Sequence, residues 1–433
     1  MKRMLFGLFI IMTLTASQAA FAAGFGLYEG SARGNGLGGL TGQADDPSAL
    51  FYNPAGITQL EGIHFMAGAT IIDPYADLTL GNIYSDETTE GQFVSNYFTP
   101  PHIYYTQQIS PSVWFGLSVY SRYGLGSEFE PEWDGRYSNI NTTIETVNYN
   151  ANVAWKITDS FSFSFGVSVQ YLDAVLEQAI DANQFMLNPH NDPRTTEFDA
   201  IQTIEGDNLA LSWNASVFYK PTDKWSLGAH FVSRTKHKLE GVAHFDRPDA
   251  QVPATWFIDA NVTADTIELP DFLFLGFAYR HSDKISVGGG LVRTGWSSLQ
   301  ELVFHYDPAF LIIPQIGEVD EASKDLRWED VWRYNLGVEY QYNQKLTLLG
   351  GYTFDESPIP DDTISFLLPT NDRDVFNMGF GWQMDKWLFE GAFNYLVLRD
   401  RDIEERQLAD GVLEASVDAG ALLYSFSFSR KFR

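Results

Sequence analysis

The chain has 433 residues, 45% hydrophobic and 15% aromatic, with no cysteine and a formal net charge of −28. It is too long for a small domain and too aromatic for a disordered chain. The acidic balance argues against a nucleic-acid partner, and the absence of thiols removes a disulfide framework.

The first element is a targeting signal. Lys2 and Arg3 precede the apolar run LFGLFIIMTL, and Ala20-Phe21-Ala22 supplies small residues at cleavage-site spacing, so residues 1–22 read as a signal peptide cut after Ala22. Losing Lys2 and Arg3 takes the formal charge from −28 to −30. No later apolar stretch approaches the roughly 20 residues of a spanning helix. The exported chain is therefore periplasmic, secreted, or a β-barrel of the outer membrane.

Residues 23–60 show no sustained strand alternation, yet they carry Phe25, Leu27, Tyr28, Leu37, Leu40, Leu50, Phe51 and Ile57. A disordered tail would not need them. Gly34-x-Gly36-x-x-Gly39 has the spacing of a dinucleotide loop but lacks the flanking strand and helix. Together with Gly30, Gly38 and Gly42, these glycines suit a backbone folded tightly in a confined space. Pro54 fixes its own φ and holds Asn53 extended, which defines a compact turn at Asn53-Pro54-Ala55. A segment of this length is enough to fill the lumen of a barrel as a hatch over 23–60, with an interfacial or periplasmic arm as the alternative.

From residue 61 onward alternation dominates. In FSFSFGVSVQY, Phe161, Phe163, Phe165, Val167, Val169 and Tyr171 share one face, and Ser162, Ser164, Gly166, Ser168 and Gln170 share the other. Near the end of the chain Tyr424, Phe426, Phe428 and Phe432 oppose Ser425, Ser427, Ser429 and Lys431. Short turn signals fall at 109–112, 158–160, 221–224, 281–284, 342–345 and 384–386. Longer polar connections fall near 81–97, 126–141, 183–200, 241–262, 308–326, 356–370 and 405–412. Six short turns facing seven long loops predict an all-β fold, a 14-stranded antiparallel transmembrane barrel over 61–433 with both termini on the short-turn side. Trp114, Trp155, Trp225 and Trp387 lie near short turns, as an aromatic girdle would.

Chemistry-bearing motifs are sparse. The eight histidines are scattered, and neither His-Glu-x-x-His nor Gly-x-Ser-x-Gly occurs. No enzymatic activity, cofactor or metal is expected, although a barrel lipase could assemble Ser and His across strands. Acidic clusters at Asp86-Glu87, Glu128 to Asp134, Asp361-Asp362 and Glu404-Glu405 read as a solvated outer surface. Cation bridging to lipopolysaccharide is the sharper alternative, without ligand-like spacing to support it.

The stretch AGFGLYEGSARGNGLGGLTGQADDPSALFYNPAGITQLEG resembles the outer-membrane long-chain fatty acid transporters of FadL type and their aromatic-hydrocarbon relatives. The likeness continues through SRYGLGSEF, LPDFLFLGFAYR, TGWSSLQEL, EDVWRYNLGVEY, DESPIP and NDRD, over essentially the whole mature chain. The resemblance implies a barrel closed by an N-terminal hatch, passive uptake of a hydrophobic compound, and lateral release where the third strand kinks. It also implies roles for residues. Asn53, Pro54 and Ala55 match the hatch motif, Phe25 the N-terminal residue that reaches the ligand, and Gly124 the kink. Lys324 matches a basic residue facing the substrate carboxylate, and Gln178 stands where the fatty acid transporter has a second one. Glutamine can hydrogen-bond a carboxylate but cannot pair its charge, which keeps a neutral hydrocarbon substrate open. The terminal Arg433 departs from the aromatic end usual for such barrels. The partners implied are a hydrophobic small molecule, outer-membrane lipid and lipopolysaccharide, and the barrel assembly machinery. Outside transport, an adhesin-like surface barrel is the competing class.

Overall fold

The computed structural model describes residues 24–82, 85–94, 97–186, 196–248, 252–313, 317–403 and 412–432. The expected signal peptide with its cleavage site, Glu404-Glu405 and Arg433 lie outside these residues.

Fourteen antiparallel strands form a closed barrel. They are β1 (Ile63–Asn82), β2 (Pro101–Ser110), β3 (Val113–Tyr120, resuming at Gly124–Glu128), β4 (Asn141–Lys156) and β5 (Phe161–Asp181). Next come β6 (Asp199–Tyr219), β7 (Trp225–Val232, resuming at Glu240–Asp246), β8 (Ala260–Ala264, resuming at Phe272–Arg280) and β9 (Ile285–Thr294, resuming at Glu301–Asp307). The last five are β10 (Glu321–Asp325, resuming at Val331–Gln341), β11 (Leu346–Asp355), β12 (Arg373–Met384), β13 (Trp387–Leu398) and β14 (Val412–Lys431). β1 pairs with β14 from His64 opposite Lys431 to Asn82 opposite Val412, which closes the sheet and removes its edges. All six short turns are hairpin connections at the end of the barrel where β1 begins and β14 ends.

Burial is inside out, as a lipid-facing wall requires. On β5, Val167 is 53% exposed and Ser164 is fully buried, because the serine face looks into a filled lumen. The girdle expectation fails at Trp114. That residue shares the inward phase of β3, is buried, and donates its indole N–H to the Leu60 carbonyl at 2.8 Å. Trp155, half-buried, stacks on Phe163 of the outward face, and Trp225 is exposed.

Three segments read as loops contain strand. Ser85–Gln92 folds back on β1, and the upper halves of β7, β8 and β10 lie within 240–264 and 321–325. Beyond the hydrocarbon layer neither face must be apolar, so these strands lose the alternation that reveals them.

Inside the barrel, residues 24–60 form α1 (Ala32–Leu37), α2 (Ala49–Tyr52) and a 3-10 turn (Pro54–Gln59). Ser31 caps α1 by accepting from the Gly34 N–H, and Gly38 ends it at φ 76°, a left-handed value that favours glycine. α1 packs on β10 to β14, and the 3-10 turn packs on β3 to β6, so the segment crosses the lumen.

Candidate functional site

The segment is fastened to the wall by hydrogen bonds. Asn53, fully buried at φ −163° and ψ 88°, donates through Nδ2 to the carbonyls of Thr41 and Val217, both at 3.0 Å. Pro54 opens the 3-10 turn, where its missing N–H costs nothing. The Ala55 N–H donates to Ser216 Oγ at 2.8 Å, and the Thr58 and Ser162 hydroxyls pair at 2.7 Å. The Asn53-Pro54-Ala55 turn is therefore bound to the inner face of β6. On the opposite side Arg33 holds Asp45 and Asp46 of its own segment and Glu339 of β10. Tyr52 donates its hydroxyl to the Tyr28 carbonyl at 3.1 Å, and burial pushes both phenols above their ordinary pKa, so they remain neutral donors.

Above this seam lies a small cavity with a wholly apolar accessible lining. Phe25 forms its lower boundary, and Ile144, Leu172 and Leu176 supply one wall. The other side comes from interruptions in the sheet. β7, β8, β9 and β10 each break at mid-height, and Leu239, Leu269, Leu299, Leu326 and Trp328 at those breaks line the cavity. The breaks are tied together by ions: Asp271 accepts from Arg234 at 2.9 Å and Arg293 at 3.0 Å. Leu367 enters from the loop after β11, whose backbone accepts from Ser127 Oγ and Asn139 Nδ2.

Phe25 sits in a cage of rings, with centroids 4.8 Å from Trp296, 5.7 Å from Trp328 and 6.1 Å from Tyr123. The close approach requires glycine before it. Gly24 has φ 62°, and a Cβ there would lie 2.3 Å from the Trp296 ring.

β3 breaks at Ser121–Tyr123. Below the break it pairs with β2 as far as Tyr120; above it, its partners on that side are the N-terminal segment at Tyr123–Gly124 and Phe93–Val94 at its far end. Leu27 donates to the Arg122 carbonyl at 2.8 Å, and Gly124 donates to the Phe25 carbonyl at 2.9 Å. Gly124 thus begins the resumed strand, one position past the break. On β4, Tyr120 opposes Asn148 and Gly124 opposes Glu145, so β3 carries one extra residue, a bulge that bends it.

Of the residues singled out from sequence, the structure joins Phe25, Gly124 and the Asn53-Pro54-Ala55 turn through one continuous segment. Lys324 and Gln178 do not line the cavity. Lys324 is opposite Leu302, a lining residue, and so takes the same inward phase. Gln178 follows Leu176 by two residues and donates to Gln202 at 3.2 Å, which in turn donates to the Tyr306 hydroxyl at 3.2 Å. Sequence reasoning missed Trp296, Trp328 and Arg122. The Gly295-Trp296 and Leu269-Pro270-Asp271 breaks inside strand patterns were the available signals.

Residues 13–432 match the family model described as outer membrane protein transport protein (OMPP1/FadL/TodX). The chain belongs to this family. It is an outer-membrane barrel of the FadL/TodX type, a family of transporters for hydrophobic compounds. A long-chain fatty acid transport protein of Salmonella typhi is 27% identical over 384 residues, covering 86% of each chain. Outer membrane protein P1 of Haemophilus influenzae is 23% identical, over 88% of this chain and 86% of that one. Among solved structures, a Pseudomonas aeruginosa FadL homologue aligns at a TM-score of 0.81 with 20% identity, over 95% of this chain and all of that one. The Pseudomonas putida toluene transporter TodX aligns at 0.71 with 19% identity, over 95% and 99%. At these identities the structures speak for the shared FadL-type fold, not for a shared substrate.

Proposed function

We propose that this FadL/TodX-type protein takes up long-chain fatty acids or similar hydrophobic compounds passively, holding them in the apolar cavity and releasing them sideways at the β3 break. The observation that carries this reading is the cavity lined by Phe25 from the N-terminal segment, whose own backbone takes the place of β2 beside β3 at the break. Residues 23–60 act as a hatch fixed by Asn53, Pro54 and Ala55. Lys324 and Gln178 act at the margin of the ligand site.

Solvation supplies the mechanism. Each methylene is worth about 0.8 kcal/mol on leaving water, so an acyl chain partitions into the cavity and then into the membrane without an energy source. A neutral aromatic hydrocarbon is the second reading, favoured by a lining without charged side chains and by Gln178 being bonded to Gln202.

Mass spectrometry of lipid extracted from the purified protein tests the reading. Wild type should carry an apolar ligand, and Ala174→Trp, which fills the cavity, should lose it while keeping the folded barrel's mobility on unheated gels. An empty wild-type protein that conducts hydrophilic solutes at full pore size would sink the hatch and cavity account.

A further inference from the structure

One cation in the lumen is set apart from the rest. Arg136 is paired with Asp199 at 2.6 Å, and Arg333 and Arg373 both engage Asp355. Arg122, at the β3 break, is 1% exposed, and no described carboxylate lies within ion-pair distance of it. Its Nη2 donates to the Phe51 carbonyl at 3.3 Å, and its Nε and Nη1 have no hydrogen-bond partner among the described residues.

The surroundings satisfy the faces of this guanidinium but not its edge. Its carbon lies 3.8 Å from the Phe51 centroid, with Tyr120, Phe274 and Phe272 at 5.0, 5.3 and 5.4 Å. Stacking on rings compensates the charge in part. It does nothing for N–H groups in the ring plane, and a buried donor without an acceptor is costly. A position that only filled space would be better served by a neutral side chain. The guanidinium fork matches a carboxylate, which takes two parallel hydrogen bonds from it.

Its location connects it to the cavity. Tyr123, the next residue, touches Phe25 at 6.1 Å and Phe272 at 5.6 Å, and Phe272 touches Arg122. Phe25, Tyr123 and Phe272 therefore form a continuous chain of rings between the apolar cavity and the unpartnered N–H groups.

We propose that Arg122 receives the carboxylate of an amphiphilic ligand when the ring chain of Phe25, Tyr123 and Phe272 parts, and that it makes a long-chain carboxylic acid the preferred ligand over its uncharged analogue. This rests on the uptake reading above and decides between its two substrate classes. The acid is ionised at neutral pH, so the head group arrives as the anion. Its tail remains in the apolar cavity, and its head lies at the break in the wall.

Equilibrium binding of hexadecanoate and of its methyl ester to the purified full chain tests the assignment. Wild type should favour the acid by about tenfold or more, the ratio expected of one charge-assisted hydrogen bond. Arg122→Met keeps the length and the apolar stacking, so it should bind the ester as wild type does and hold the two ligands within about threefold. Arg122→Lys keeps the charge without the fork and should show an intermediate preference, which serves if the methionine variant does not fold. A wild-type preference retained in Arg122→Met, or lost only in Lys324→Met, overturns the role of Arg122 and leaves the uptake reading standing. Equal binding of both ligands by wild type also overturns it. If neither ligand binds wild type, the uptake reading fails and the proposal falls with it.

Discussion

Replacing Asn53 by alanine should loosen the N-terminal segment without unfolding the barrel. The side chain donates two hydrogen bonds, one within the segment to Thr41 and one across to Val217 of β6. Each is worth about 1 kcal/mol net when buried, with a spread of about half that. Against this loss stands a gain, because Asn53 Oδ1 is buried without a partner among the described residues and leaves with the amide. Relieving it returns about 1 kcal/mol. The net weakening is therefore about 1 kcal/mol, or roughly a fivefold rise in the population of detached states. Hydrogen exchange over residues 41–60 should accelerate by that factor, while amides of β1 and β14 keep their protection. Single-channel recording in planar bilayers should show openings about five times as frequent. Unchanged exchange in the segment would refute the reasoning, since it would mean that the Asn53 amide adds nothing to the fastening. Equal acceleration in β1 and β14 would refute it differently, by showing that segment and wall open as one unit.

Gly228→Val should displace the segment from β7, because a Cβ there would lie 2.1 Å from the Thr41 carbonyl oxygen and 2.4 Å from Asn53 Nδ2. The expected result is a leak of small hydrophilic solutes in liposome swelling with the barrel still folded, and tight liposomes would count against the packing argument. Cysteines at Gly26 and Tyr123 should lock the segment to β3. The two residues form a non-hydrogen-bonded antiparallel pair with Cα atoms about 4.5 Å apart, within disulfide reach, and the chain has no cysteine of its own. Fatty acid uptake by cells expressing the oxidised pair should fall to background and recover with reductant; uptake that ignores the redox state would argue against release at the β3 break.

The barrel was legible because hydrocarbon imposes a rule on every strand that crosses it. Phe161 to Tyr171 alternate strictly, and the short turns are polar clusters at regular intervals. Where the rule lapses, reading fails. Glu240–Asp246 and Glu321–Asp325 are strand in water and look like loop. Trp114 was assigned by proximity to a turn, although it alternates in phase with Gly116 and Ser118 and so faces inward. The Asn53-Pro54-Ala55 turn could be found from its own stiffness. The cavity could not, because it is built from strand interruptions whose side chains meet only after the barrel closes. Arg122 is visible in SRYGLGSEF as a cation amid small and aromatic residues, but its lack of a partner is a fact of three dimensions.

The division of the lumen into two chemistries bears on the direction of travel. Below Phe25 the contact between segment and wall is lined by hydroxyls and amides: Ser162, Ser164, Asn150, Asn214 and Ser216 are all buried there. An acyl chain forced through that seam would separate polar pairs such as Thr58 with Ser162 and the Ala55 N–H with Ser216, and would offer no hydrogen bond in return. Each broken pair costs about 1 kcal/mol or more, on top of losing the apolar surroundings of the cavity. At the β3 break the obstacle is different. Two backbone hydrogen bonds join the break to Phe25 and Leu27, and the side chains around them are aromatic or aliphatic apart from Arg122 and Thr146. Displacing Phe25 exposes an acyl chain to Tyr123 and Phe272 and to the outward apolar face of the sheet, so its tail never enters water. Shifting the short Phe25–Leu27 stretch is a smaller change than dislodging a segment held by Asn53, Ala55, Thr58 and Arg33. These contacts support the proposed side route for an apolar ligand, because the polar seam offers it no hydrogen bond in exchange for those it breaks.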